Sequence, residues 1–235
     1  MISIIVPVLN EEKGIISLLE YLEQSASDSR QLEILIVDGG STDRTPVLIE
    51  EYRISTNSFK AVTLLHSEKG RSKQMHHGAQ HAHGSILYFL HADSYPPVKF
   101  DQLIIDAVNG NQKAGCFRMK FDNPNWWLFL MGWFTRFSWK VSRGGDQSQF
   151  ICSKMYTKIG GYDTSLPIYE DYDLINKLYA INCYTVLPQV LTTSSRRYKD
   201  VGIFKLQWYY LNIYYRKWRG DSIQQLHQYY LKYCD

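Results

Sequence analysis

The feature that most limits the folds open to this chain is a repeated exchange of two periodicities within its first hundred residues. Short apolar runs, Ile2 to Leu9, Leu32 to Val37, Ala61 to His66 and Ser85 to Leu90, alternate with helix-like segments, Lys13 to Gln24, Thr45 to Tyr52 and Ser72 to His83. In the first helical segment Ile15, Ile16, Leu18, Leu19 and Leu22 recur at helical spacing. Runs that are apolar on both sides of the pleat belong in a sheet covered on both faces, and helical crossovers this short join parallel neighbours. The expected fold class is therefore α/β, a Rossmann-like, doubly wound and mostly parallel sheet, with ligands beyond the carboxyl ends of its strands. The fourth run, Leu87-Tyr88-Phe89-Leu90-His91-Ala92-Asp93-Ser94, stops at a carboxylate, and Pro96-Pro97 bar its continuation. Taken alone, Asp93 reads as a helix cap or a turn acid.

Beyond residue 100 the pattern loosens. Phe100 to Val108 predicts a helix, Ala114 to Phe121 a strand, Gly144 to Cys152 a loop entering a strand, and Tyr169 to Tyr179 a helix that opens with acids. Asn125 to Val141 and Phe204 to Trp218 are dense in aromatic residues. No repeat or low-complexity linker interrupts the chain, and 235 residues with 45% hydrophobic content support one core. A formal charge of +3 is too small for a nucleic-acid-binding face. Cys116, Cys152, Cys183 and Cys234 form no C-x-x-C pair, so free thiols in a reducing cytoplasm are expected. The chain opens directly on a strand without a basic leader, and no signal peptide is expected.

Read together, the strand ends carry Pro7-Val8-Leu9-Asn10-Glu11, Val37-Asp38-Gly39-Gly40-Ser41-Thr42-Asp43 and Leu90-His91-Ala92-Asp93, followed by Gly160-Gly161-Tyr162-Asp163 and Tyr169-Glu170-Asp171-Tyr172-Asp173. This ordered set resembles the nucleotide-diphosphate-sugar glycosyltransferases of family 2, which have the GT-A fold, over roughly Ile2 to Leu187. Gly70-Arg71-Ser72-Lys73-Gln74-Met75 and Gly144-Gly145-Asp146-Gln147-Ser148-Gln149-Phe150 resemble the small stand-alone bacterial members associated with radical-SAM genes. The resemblance implies a single domain over 1–235. Its nucleotide-binding half would cover about 1–110, and an acceptor-side half with aromatic-rich C-terminal helices about 111–235.

Glycosyl transfer must neutralise a diphosphate leaving group and take a proton from the acceptor hydroxyl. Hard divalent cations prefer carboxylate oxygens, and by resemblance Asp93 would be the metal ligand for Mn²⁺ or Mg²⁺. Asp171 would be the general base of an inverting transfer, kept ionised by its helix N-terminus. Asp38 would accept from the nucleobase, most simply uracil of a UDP-sugar, and Glu11 from the ribose, with Pro7 holding the loop. Gly39 would allow close backbone approach, and Arg71 would meet the base or the diphosphate. Asp146 and Gln147 would line the donor-sugar or acceptor side, and Asn10, His91, Ala92 and Glu170 complete the substrate-binding set. His91 departs from the family pattern, standing where the first D-x-D acid is expected, and a neutral imidazole there would share ribose contact by hydrogen bonding.

Two alternatives remain at this level. A sugar-phosphate nucleotidyltransferase would need a Gly-rich loop with a paired Arg after the first strand, which is missing. A non-catalytic nucleotide-sugar binding protein is kept open by His91. His76, His77, His81 and His83 crowd one helix without an acid to complete a zinc site, and neither a nucleophile elbow nor a P-loop occurs. Trp126 to Phe134 is far short of the roughly twenty apolar residues that span a bilayer. With Arg136, Lys140 and Arg143 close by, this segment and Phe204 to Trp218 are expected to pack in the core or in a homodimer interface, with an acceptor pocket or a membrane surface as the lesser readings. The expected partners are a nucleotide-diphosphate sugar and an acceptor of unread identity, with no nucleic acid. The expected location is the cytoplasm, with peripheral contact at the inner face of the membrane as its variant.

Overall fold

The computed structural model describes residues 1–55 and 62–234. Its strands are β1 (Ile2–Val8), β2 (Leu32–Asp38), β3 (Val62–His66), β4 (Ile86–Phe89), β5 (Ser94–Tyr95), β6 (Ala114–Phe121), β7 (Gln149–Cys152) and β8 (Thr185–Thr193). Between and after them run α1 (Ile15–Ser25), α2 (Thr45–Ser55), α3 (Arg71–His81), α4 (Phe100–Asn109), α5 (Trp126–Phe134), α6 (Ser153–Lys158), α7 (Glu170–Ala180), α8 (Arg196–Val201), α9 (Ile203–Trp218) and α10 (Ile223–Tyr233). The strands form one sheet in the order β3-β2-β1-β4-β7-β6-β8-β5. Ala61, expected to open the third strand, lies outside the described residues.

The parallel half follows directly from the apolar runs. In β1 the side chains alternate between two cores: Ile2, Ile4, Val6 and Val8 pack with α1 and α4, whereas Ile5 packs on the other face with Leu35, Val37 and Met75. Burial on both faces is why β1 and β2 read as continuous hydrophobic runs. Helix α3 lies close on the second face at Gly78, where a Cβ would stand 2.5 Å from Ile5 Cγ2. The register Val8↔Asp38↔His66 brings the ends of β1, β2 and β3 to one edge.

Past β4 the sheet turns antiparallel. β7 runs against β4 and β6 against β7, while β8 runs parallel to β6 and antiparallel to β5. No strand was expected at Thr185 to Thr193, because Pro188 interrupts its apolar run. The sheet absorbs that proline in a bulge: Leu187 pairs with Phe117 and Val190 with Arg118, so Pro188 and Gln189 are skipped where a missing N–H leaves no gap in the ladder.

The aromatic segments correct the core-packing expectation. Helix α5 buries only Leu128 and Gly132, and α9 only Leu206 and Ile213. Trp126, Phe129, Trp208 and Trp218 are all more than 60% exposed. Each helix covers the sheet or its neighbours with one narrow face, and no further layer of the described residues lies outside it.

Candidate active site

A cleft of about 550 Å³ opens at the carboxyl edge of the sheet, within the size of ordinary ligand sites. Pro7 and Glu11 reach it from the end of β1, His91, Ala92 and Asp93 from the turn after β4, and Arg71 from the first turn of α3. Asp146 enters from the loop before β7, and Glu170 and Asp171 from the first turn of α7. The topology thus gathers nine of the residues expected at a site, from segments scattered over the chain.

Asp171 is the most constrained of them. It is buried, and Tyr162 Oη donates to its Oδ1 at 2.9 Å. Burial, and then the charge of Glu170, push its carboxyl up to about 6. Tyr169 enters the same helix with φ 69°, a left-handed conformation rare for a bulky side chain. Such strain concentrates at functional sites. Burial also raises Glu170, and it raises Asp93 together with the charges of Asp146 and Glu11. His91 is lowered, first by burial and then by Arg71, which favours its neutral form.

Cations balance these acids. Arg71 is held above its usual value, against the cost of burial, by Tyr230, Asp146 and Glu170. It forms no ion pair among the described residues. A cation in the first turn of a helix, where the dipole is already positive, suits an anionic ligand. Arg196 is committed instead, forming a two-pronged bridge to Glu11 at 2.8 and 3.2 Å.

Four expected site residues are held by local hydrogen bonds and do not line the cleft. Asp38 accepts from the backbone N–H groups of Gly40 and Ser41, and Asn10 Oδ1 accepts from Thr42 N. Gly39 follows Asp38 in that turn, so the group builds the loop floor. Gln147 is buried, its Oε1 accepting from Cys116 Sγ at 3.6 Å and its Nε2 donating to Ser142 O at 3.0 Å. Conversely, the cleft is lined by residues to which the sequence reading gave no role at the site. Gln74 Nε2 donates to Val8 O at 2.9 Å and Val37 O at 2.8 Å, tying two strand ends together. Arg196, Arg197, Tyr210 and Tyr214 close the far side. The paired arginines directly after an apolar run were the available signal for that wall.

For a metal ion, the donor chemistry fits in one specific way. Among the described residues no group of three or more His, Cys, Asp or Glu could cage an ion. Asp93 offers one carboxylate, with the acids Glu11 and Asp146 close enough to act on it, and a carboxylate oxygen is the donor a hard cation prefers.

A model of the family described as glycosyl transferase family 2 matches residues 3–162. The chain belongs to glycosyl transferase family 2. Among its relatives is an undecaprenyl-phosphate 4-deoxy-4-formamido-L-arabinose transferase of Proteus mirabilis, 24% identical over 204 residues, which cover 86% of this chain and 59% of the relative. One of the same name from Pseudomonas fluorescens is 30% identical over 119 residues, covering 50% of this chain and 35% of the relative. The chain thus spans less than two thirds of these proteins. Among solved structures, the mannosyltransferase PcManGT of Pyrobaculum calidifontis, in complex with GDP-Man and Mn²⁺, has a TM-score of 0.68 at 19% identity and covers 98% of this chain and 69% of its own. S. aureus TarS 1-349 with UDP-GlcNAc gives 0.65 at 21% identity, with 83% and 58% covered. At these identities the likeness shows the fold, which is the GT-A type.

Proposed function

We propose that this family 2 protein is an inverting glycosyltransferase that moves a sugar from a nucleotide-diphosphate sugar, a UDP-sugar, to an acceptor hydroxyl. The observation that carries this reading is the meeting, in one cleft, of a buried carboxylate poised near pH 6 at Asp171 with an uncommitted cation at Arg71. A general base works best with a pKa near the working pH. The narrower kinship to the radical-SAM-associated bacterial members belongs to the same proposal, on Gly70 to Met75 and Gly144 to Phe150.

In this reading Asp171 accepts the acceptor's hydroxyl proton as the oxygen attacks the anomeric carbon. The bond from that carbon to the diphosphate oxygen breaks, and the leaving group departs with the electron pair. Arg71 stands opposite that developing charge. A divalent ion held by Asp93 would add Lewis-acid neutralisation of the diphosphate. Tyr162 keeps the carboxylate oriented, and the neutral His91 offers a hydrogen bond rather than charge. Asp38, Asn10 and Gly39 would act on the nucleotide through the shape of the loop floor they build.

A phosphate-bearing acceptor is the second reading. It is favoured by Arg197, a further cation in the cleft, whose Nη1 donates to Tyr230 Oη at 2.5 Å. The relatives' own names include undecaprenyl phosphate.

Calorimetric titration with UDP and GDP, with and without Mn²⁺, tests the proposal. UDP should bind more tightly than GDP, and more tightly with Mn²⁺ than after chelation. Absence of binding by either nucleotide under both conditions would overturn it.

A further inference from the structure

Helix α9 turns Leu206 and Ile213 toward the core and a second apolar face toward solvent. Phe204, Trp208, Leu211, Tyr215 and Trp218 are 54–81% exposed. Their 4-3-4-3 spacing keeps them on one side of the helix, a stripe of about 21 Å at the α-helical rise. It continues onto α5, because the Trp127 and Phe204 rings lie 6.2 Å apart and Trp126, Phe129 and Trp133 of α5 are exposed as well. Contiguous apolar surface of this kind marks an interaction site.

The chemistry of the stripe selects its occupant. Helix α9 contains no acid and α5 no charged residue at all. Cations flank the stripe, Lys205, Arg219, and Arg136, whose guanidinium lies 4.4 Å from the centre of the Trp133 ring, while the nearest acid in sequence after it, Asp221, is held by Arg216. A second copy laid face to face would oppose these cations with no acid in either stripe to pair them. A helical seam would also carry Leu or Ile at such positions, whereas Trp and Tyr favour the boundary between apolar and hydrated layers. No described helix is long and apolar enough to cross a membrane.

We propose that the α5–α9 stripe is the docking surface for an anionic phospholipid bilayer, with α9 lying in the interfacial plane. The aromatic rings enter the headgroup boundary and the cations meet lipid phosphates. Tyr210 and Tyr214 of the same helix line the cleft, so docking sets the cleft beside the membrane. This inference does not require turnover and stands apart from the catalytic reading.

The test is co-sedimentation with vesicles of equal parts phosphatidylglycerol and phosphatidylcholine, against pure phosphatidylcholine. The wild type should pellet with the mixed vesicles and far less with the neutral ones. Trp208→Glu/Trp218→Glu should lower partition by at least about tenfold. Lys205→Ala/Arg219→Ala should lower it roughly thirtyfold, about fivefold for each cation. All four positions are exposed, and unchanged thermal transitions and UDP titrations of the variants establish that they fold. Equal sedimentation with both vesicle types, no sedimentation of the wild type, or a dimer in sedimentation velocity that the Trp variant converts to monomer would each overturn the proposal.

Discussion

Tyr162 donates its hydroxyl hydrogen to Asp171 Oδ1 at 2.9 Å, and both side chains are buried. The tyrosine is delivered by Gly161, whose φ of 61° suits glycine and whose Cβ, if present, would stand 2.5 Å from the Tyr156 ring. Its ring meets Phe89, at the end of β4, edge-on at 5.0 Å. The contact fixes the direction of a carboxylate whose pKa burial raises, and the hydrogen bond acts in the opposite sense and lowers it.

Replacing Tyr162 by Phe therefore raises the pKa of Asp171 further. A hydrogen bond to a charged group contributes about 1.5–3 kcal/mol, and one pKa unit corresponds to about 1.4 kcal/mol. The acidic limb of the turnover profile should move up while the alkaline plateau remains. The measurement is kcat/KM between pH 5 and pH 9, in the range of about four units where the carboxylate titrates. An unmoved limb would separate Tyr162 from the base.

Asp171 also sets a pH dependence of stability. An exposed Asp ionises near pH 4, whereas this one ionises at about 6, so the folded state keeps a proton that the unfolded chain has released. Its contribution to stability is complete below about pH 4 and is lost as the pH rises through about 6. Asp171→Asn removes that penalty, on the order of 2–3 kcal/mol, while its amide oxygen still accepts from Tyr162. Calorimetry should show the variant melting several degrees higher than wild type at pH 8, with the gain gone at pH 4.

Gln74 couples the fold to the cleft. Gln74→Ala leaves Val8 O and Val37 O without their side-chain donor and opens space beneath Gly39. Two lost hydrogen bonds at about 1 kcal/mol each, plus the cavity, should lower stability by about 2–4 kcal/mol. UDP affinity should fall as well, because the ends of β1 and β2 shape the loop floor. Thermal melting and titration together check both effects.

At the opposite edge of the sheet, Ser3 Oγ and the His83 ring and backbone converge on Glu33, and Ser3 Oγ also accepts from Gly84 N at 2.7 Å. Although burial opposes it, these bonds hold Glu33 below the usual carboxylate range. Its stabilisation is therefore present above the exposed-Glu pKa and is lost as the pH falls through the depressed value. Ser3→Ala should cost about 1–3 kcal/mol in a thermal melt at pH 7 and leave UDP binding unchanged.

How much of this was legible depended on whether one residue's surroundings are fixed by its own segment. The parallel half was readable because Ile2 to Val8 and Leu32 to Asp38 are buried on both faces, a condition written into the sequence as unbroken apolar runs. β8 was hidden because Pro188 breaks its run and only the bulge against Phe117 and Arg118 accommodates it. At the site, the acids of α7 and the turn after β4 line one cleft. Asp38, Asn10 and Gln147 are engaged by nearby backbone and side-chain groups instead of lining the cleft, a competition invisible in a motif. Arg196, Arg197, Tyr210 and Tyr214 follow the last residue that the family pattern reaches. The stripe of α9 was visible as spacing, but spacing does not say whether another layer covers it.

The most direct measurement compares donor turnover by wild type and Asp171→Asn, with UDP affinity titrated on the same preparations. The account predicts that turnover falls by about 10²–10⁴-fold and loses its limb near pH 6, while UDP affinity stays within about twofold. Equal turnover by the two proteins at every pH would contradict it.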